Sequence, residues 1–222
     1  MEEIKLVVFD MAGTTVLDTG QVPAAFSDAM AEHSIQITPE QLKQVRGSSK
    51  QEAVLQLVPN GPDHKQRAET VYRTFRQRLS SRFHEEGIRP VEGAEQVFEW
   101  LKKRNIRVAL NTGFDRDITN LLLTALRWQN GVADAIVCVD DVPQGRPAPY
   151  LIFRCMEKTR THSVHHVANV GDTLVDLQAA RNAGTRWNIG VLSGAHDRKT
   201  LEQTQHTHLL PSIADLPTLW AD

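Results

Sequence analysis

Short apolar, β-rich runs recur along this chain, and the first four of five end in a polar loop. The runs cover 4–9, 106–111, 135–139, 166–171 and 186–191, and the four loops read DMAGT, NTGFD, DDVPQGRP and GDT. Helical patterns stand between them at 115–128, 147–158 and 174–183. Strands that alternate with helices predict an open, mainly parallel α/β sheet. In such a sheet chemistry collects beyond the carboxyl ends of the strands, where the connecting loops converge. All four polar loops fall there.

One stretch breaks the alternation. Residues 16–89 hold no convincing strand, only helical patterns at 22–33, 39–46, 51–58 and 65–85. About ten to fifteen residues would serve as a strand-to-helix connection. The remainder is an inserted all-α cap, placed directly after the first polar loop and so above the strand ends. The expected organisation is a core of 1–15 and 90–222 with a helical cap of 16–89. The tail predicts a polar loop or helix, a short edge strand and a closing helix.

Composition narrows the function classes. The chain has 222 residues, 41% hydrophobic and 23% charged, the balance of a globular protein with a sizeable core. Its 27 acidic and 25 basic residues leave a net charge of −2, which gives no general attraction to nucleic acid or an anionic membrane. Two cysteines, Cys138 and Cys155, exclude a disulfide scaffold and favour a reducing compartment, and we expect a cytoplasmic location. No apolar run is long enough to span a bilayer.

The loops carry the candidate chemistry. In LVVFDMAGTTV an apolar strand delivers Asp10 to its end, and Gly13, Thr14 and Thr15 bring N–H groups and hydroxyls. A carboxylate facing such donors suits attack on phosphorus while the donors hold the anionic oxygens. An Asp that caps a turn is the alternative. In HVANVGDTLVDL, Asp172 follows a strand and Asp176 lies one helical turn on, so the two share a face and can share a cation, with Mg²⁺ the natural choice for hard oxygen ligands. The alternative is an acid favoured by the helix dipole. Thr112 in NTGFD, with Gly113, could hold a phosphoryl oxygen, and Arg146 in GRPAP could neutralise the nucleophile and bind phosphate.

In this order and at these strand ends, Asp10, Thr112, Arg146 and Asp172 with Asp176 resemble the haloacid dehalogenase superfamily over nearly the whole chain. The resemblance implies a Rossmann-like, three-layer parallel core carrying a helical cap. It also implies Mg²⁺ held by Asp10, the Ala12 carbonyl, Asp172 and Asp176, and an aspartyl-phosphate on Asp10. Phosphatases of that superfamily have a second Asp two residues after the nucleophile, to protonate the leaving oxygen. Here that position is Ala12, whose methyl group cannot transfer a proton.

The sequences with DxAGT and with Arg in GRP form the phosphonatase-like group, which cleaves a carbon–phosphorus bond after a cap lysine forms a Schiff base. The cap segment VRGSSKQEAV offers Lys50 just after a Gly-Ser turn, at a helix start. That start, with Arg46 nearby, would favour the neutral amine. The resemblance therefore implies hydrolysis of a small aldehyde phosphonate, phosphonoacetaldehyde or a close analogue. It also suggests a homodimer through the cap. Phe114 stands where that group tends to have Tyr, and the region after GVLSG is short, which leaves a hydroxylated analogue open as substrate.

A phosphomonoesterase in which Lys50 and Arg46 only grip substrate is the second reading, and a degenerate binding fold a third that the intact carboxylates oppose. The Arg-rich run YRTFRQRLSSRFHEE reads as a solvated cap helix or dimer face rather than a nucleic-acid stripe. His162, His165 and His166 lie close together, but the VHHVANV setting puts at least one of them on a strand, which argues against a zinc site.

Overall fold

The structure, a computed structural model, describes residues 4–220. Six strands form one sheet in the order β3-β2-β1-β4-β5-β6, and every neighbouring pair is parallel. They are β1 (Leu6–Asp10), β2 (Arg107–Asn111), β3 (Ala135–Val137), β4 (Val167–Gly171), β5 (Trp187–Val191) and β6 (His208–Leu210). The sheet is covered on both faces, so its central strands β1 and β4 are buried along their whole length and the period of two appears only in which layer each side chain joins. Val7 and Phe9 of β1, with Val108, Leu110 and Val170, pack with α5 (Ala94–Lys103), α6 (Arg116–Leu126) and the closing 3-10 turn Ile213–Leu219. Leu6 and Val8, with Ala109 and Val167, pack on the other side against α7 (Tyr150–Thr159) and α8 (Leu174–Ala183).

Most elements fall where the sequence places them, and the differences have local causes. The strand expected over 135–139 stops at Val137 because the Asp141 carboxylate accepts the Cys138 N–H at 3.0 Å and turns the chain into the 3-10 turn Val139–Asp141. The helix expected over 115–128 begins after Asp115, whose Oδ1 accepts the Ile118 N–H at 2.9 Å, and ends at Arg127, in the left-handed region at φ 60°. The expected 147–158 helix starts later, at Tyr150, behind Pro147 and Pro149. Helix α5 is an addition to the sequence reading. The tail resolves into the short α9 (Arg198–Leu201), β6 and the closing turn.

Four helices follow β1: α1 (Gln21–Glu32), α2 (Pro39–Gln44), α3 (Lys50–Leu57) and α4 (His64–Glu86). The apolar stripes of α1 and α4 meet, with the Phe26 and Phe75 rings 4.6 Å apart. The chain leaves and re-enters the core at one place: Leu17 N–H donates to Arg89 O and Val91 N–H to Thr15 O, both at 2.9 Å, around an antiparallel bridge between Val16 and Pro90. On the rim, Tyr72 of α4 donates its hydroxyl to Asp115 at 2.5 Å, and Arg76 meets Asp115 at 2.9 Å and also Asp117. Among the described residues no helix is long and apolar enough to cross a membrane.

Candidate active site

Register sets the site. Phe9 of β1 pairs with Val170 of β4, and Asp10 with Asn111 of β2, so Asp10, Thr112 and Asp172 leave three adjacent strands at similar heights. Asp10, Asp172 and Asp176 each present an oxygen within 4.8 Å of the other two, and all three are buried. Burial pushes the Asp10 carboxyl up to about 6, Arg146 opposing and Asp176 adding to the rise. Asp172 is likewise raised well above the usual carboxylate range, by burial first and then by Asp10 and Asp176. Three mutually repelling hard-oxygen acids in a dry site form a donor set that a small divalent cation would relieve, so the residues present fit Mg²⁺.

Arg146 is the cation already in the cluster. Its side chain, 3% exposed, reaches Asp10 Oδ1 at 2.7 Å and Asp176 Oδ1 at 2.8 Å. It also donates to the Asn111 side chain, and to the carbonyls of Asn111 at 3.3 Å and Gly47 at 3.4 Å. Burial opposes its charge, but Asp10 and Asp176 outweigh that and hold its pKa above the ordinary value. The second oxygen of Asp176 accepts the Thr173 N–H at 3.0 Å and the Thr173 hydroxyl, closing a capping box at the start of α8. Asp176 therefore both caps the helix, as the helix-start reading expects, and anchors Arg146, a partner the sequence reading did not assign to it. Asp10 lines the cavity, and its Oδ2, unlike Oδ1, has no protein partner among the described residues.

The donors expected from the DMAGTT turn are spent differently. The Gly13 N–H goes to Val16 O, those of Thr14 and Thr15 go to Met11 O, and the Thr14 hydroxyl goes to Asp172 Oδ1 at 3.0 Å. The turn thus orients Asp172 instead of presenting Gly13 and Thr14 amides to a ligand. Gly13 sits at φ 91°, and a Cβ there would collide with the Asp172 carboxylate, so close approach as well as backbone conformation requires glycine. The other Asp172 oxygen accepts the Ala195 N–H at 2.7 Å. Sequence reading missed this Ser193–Ala195 loop after β5, because its lone Gly194 carries no signal of which acid it meets. Thr112, which lines the cavity, accepts the Phe114 N–H at 3.2 Å.

The cap closes on this cluster. Lys50 opens α3 behind the Ser49 N-cap, and its N–H donates to Gly113 O at 3.2 Å, tying cap to core. The Lys50 ammonium donates to Ser48 O at 3.2 Å and lies 5.4 Å from the centre of the Phe114 ring. Burial lowers its pKa, with Arg146 acting in the same direction and Asp10 against. The cation that helps is therefore Arg146 and not the expected Arg46, whose guanidinium turns to Ala195 O at 3.2 Å. Gly47, at φ 80°, lies where a Cβ would strike Thr173 and Val175, so this loop packs directly on the start of α8. Asp10, Ala12, Arg46, Gly47, Lys50, Thr112, Gly113, Arg146 and Asp172 share one cavity of about 50 Å³, room for a ligand of a few heavy atoms. Its cap wall adds Asp18 and the apolar Val22, Pro23, Phe26, Leu42 and Val45.

Comparison with known proteins places this arrangement. The chain is 28% identical to the phosphonoacetaldehyde hydrolase of Bacillus cereus (strain G9842) over 214 residues, covering 90% of this chain and 80% of that one. It is 30% identical to the phosphonoacetaldehyde hydrolase of Hahella chejuensis over 207 residues, covering 87% and 70%. A crystal structure of a hydrolase from Pseudomonas syringae superposes with a TM-score of 0.86 at 24% identity, covering 96% of both chains. The model of the haloacid dehalogenase-like hydrolase family matches residues 7–189, which carry the carboxylate cluster, Arg146 and the cap, and this chain belongs to that family.

Proposed function

We propose that the protein hydrolyses the C–P bond of a small aldehyde phosphonate, phosphonoacetaldehyde or a close analogue, through a Schiff base on Lys50 and an aspartyl-phosphate on Asp10. One observation carries this reading. The position two residues beyond the nucleophile is Ala12, while the same cavity holds a lysine whose ammonium burial has weakened. A site without an acid for an alkoxide leaving group suits a carbon leaving group made stable by an iminium. The named relatives are hydrolases of that substrate.

In this mechanism the Lys50 amine condenses with the aldehyde, giving an iminium beside the C–P bond. Asp10 Oδ2 attacks phosphorus, the C–P bond breaks, and its electron pair moves into the iminium to leave a neutral enamine. Thr112 and Arg146 hold the phosphoryl oxygens in fixed positions, so little reorganisation is needed as charge shifts. Asp10, Asp172 and the Ala12 carbonyl would hold Mg²⁺, with Asp176 acting through Arg146 or water. When bound, the ion neutralises phosphoryl charge. Water then releases phosphate from Asp10, and the closed cap keeps bulk water out of the earlier steps.

A phosphomonoesterase is the second reading, favoured by the way Lys50 is held to Ser48 O as a gripping charge would be. The test is phosphate release from phosphonoacetaldehyde with Mg²⁺, wild type against Lys50→Arg. C–P turnover that falls by at least about 10³-fold in Lys50→Arg supports the Schiff base. Equal turnover by both removes it. A wild type that cleaves phosphate esters and leaves the phosphonate intact moves the function to the second reading.

A further inference from the structure

Six charged side chains line the cavity: Asp10, Asp18, Arg46, Lys50, Arg146 and Asp172. Arg146 is taken by Asp10 and Asp176, Asp172 by Thr14 and Ala195, and Arg46 by the Ala195 carbonyl. Asp18 stands apart from all of these. It lies on the linker between Val16 and α1, half-buried. Its Oδ1 accepts the N–H groups of Gly20 at 3.0 Å and Val22 at 3.4 Å, capping the start of α1 where Gly20 has no side chain to do so. Asp18 Oδ2 has no protein partner among the described residues. The charge of Asp18 acts on Lys50, favouring its ammonium against the effect of burial.

Making an iminium from a lysine requires two proton movements, one off the ammonium and one onto the departing oxygen. Neither guanidinium in the cavity can serve, since arginine does not titrate in proteins. Asp10 is the nucleophile, Asp172 belongs to the cation set, and Ala12 offers nothing. We propose that Asp18 carries the protons for Lys50, as acid and base in forming and hydrolysing its Schiff base, an assignment that rests on the C–P reading above. Asp18 takes a proton from the Lys50 ammonium, and the freed nitrogen pair attacks the aldehyde carbon. The C=O pair moves to oxygen, which takes up the proton that nitrogen then sheds. Asp18, now the acid, protonates this hydroxyl; the C–O bond breaks, water leaves, and the nitrogen pair closes the C=N bond. One ammonium and one aldehyde become one iminium and one water, and Asp18 returns to its carboxylate. Once the enamine left by C–P cleavage takes a proton from water onto its terminal carbon, it becomes the product iminium, and the same steps in reverse free the aldehyde.

Asp18→Asn keeps the Oδ1 acceptor for α1 and removes the proton carrier. The experiment measures the rate at which borohydride traps phosphonoacetaldehyde on Lys50, read by mass, together with phosphate release and Tm. The expected result is trapping and turnover slowed by about 10²-fold or more at a Tm close to wild type. Should Asn lower Tm, Asp18→Ser, whose hydroxyl also caps a helix start, is read in its place. Trapping and turnover within about threefold of wild type overturn the role of Asp18 and leave the C–P reading standing. A wild-type protein that borohydride does not trap at all removes the C–P reading, and the role of Asp18 falls with it.

Discussion

At the strand ends, three carboxylates surround one guanidinium, and all four groups are buried. On the rim between α4 and α6, one guanidinium meets two carboxylates, one of which also accepts a tyrosine hydroxyl, and both Arg76 and Asp117 reach solvent. The two clusters use the same chemical groups to opposite ends. The rim cluster is complete as it stands: water screens what the ion pairs leave over, and its contribution is a modest tie between cap and core. The strand-end cluster carries surplus negative charge in a place water cannot relieve, so two of its acids are pushed upward. Such an arrangement costs stability until a ligand completes it, which marks a site built for binding rather than for holding the fold.

The comparison breaks most visibly at the guanidiniums. Arg146→Met removes the guanidinium that pairs with both Asp10 and Asp176. It should cost about 3–5 kcal/mol without metal, a fall in Tm of roughly 10 °C for a chain of this size. A loss no larger than that of a surface pair would show that the strand-end cluster is not under electrostatic load. A smaller effect separates the clusters by pH. Because folding raises the pKa of Asp10 and Asp172, the metal-free folded state binds protons more tightly than the unfolded one. Its stability therefore declines as pH rises from the unfolded carboxylate value through the folded ones. Mg²⁺ should raise Tm more at about pH 8 than at about pH 5, and equal gains at both would remove the cation from this cluster. The smallest effect belongs to the rim. Tyr72→Phe deletes one hydrogen bond to Asp115, which keeps Arg76 and the Ile118 N–H, and should cost about 1 kcal/mol, or about 2–4 °C in Tm by thermal melt.

Strands and acids were readable in the sequence for the same reason. An apolar run ending in Asp places the acid at a strand end, and parallel pairing then sets neighbouring ends side by side, as with Asp10 and Asp172. Helix α8 carries its limits in its own residues, with Thr173 and Asp176 capping its start and Gly184 its end. Helix α5 was as legible, with Val97, Phe98 and Leu101 on one face and Lys102 and Lys103 in its last turn. It lies outside the expected set although its signals are ordinary. What local pattern cannot give is how each donor is spent. The Thr14 hydroxyl and the Ala195 N–H both turn to Asp172, and Arg146 rather than Arg46 is the cation acting on Lys50, because each depends on loops that approach only in three dimensions. The free oxygen of Asp18 was hidden for that reason too.

The joint at Val16 and Pro90 has one more consequence. Like a plug with two adjacent prongs, the chain enters and leaves the α1–α4 insert at a single point of the core. Closing such a loop grows harder only with the logarithm of its length, about 0.6 kcal/mol for each doubling. The sheet would hardly register a shorter or longer insert. Asp10, Arg146 and Asp172 stay with the socket, whereas Asp18, Arg46 and Lys50 travel with the plug. Grafting another helical insert between these two residues would therefore leave the strand-end cluster in place and exchange the groups of the cap wall, so that one chain joins a fixed socket to a replaceable handle.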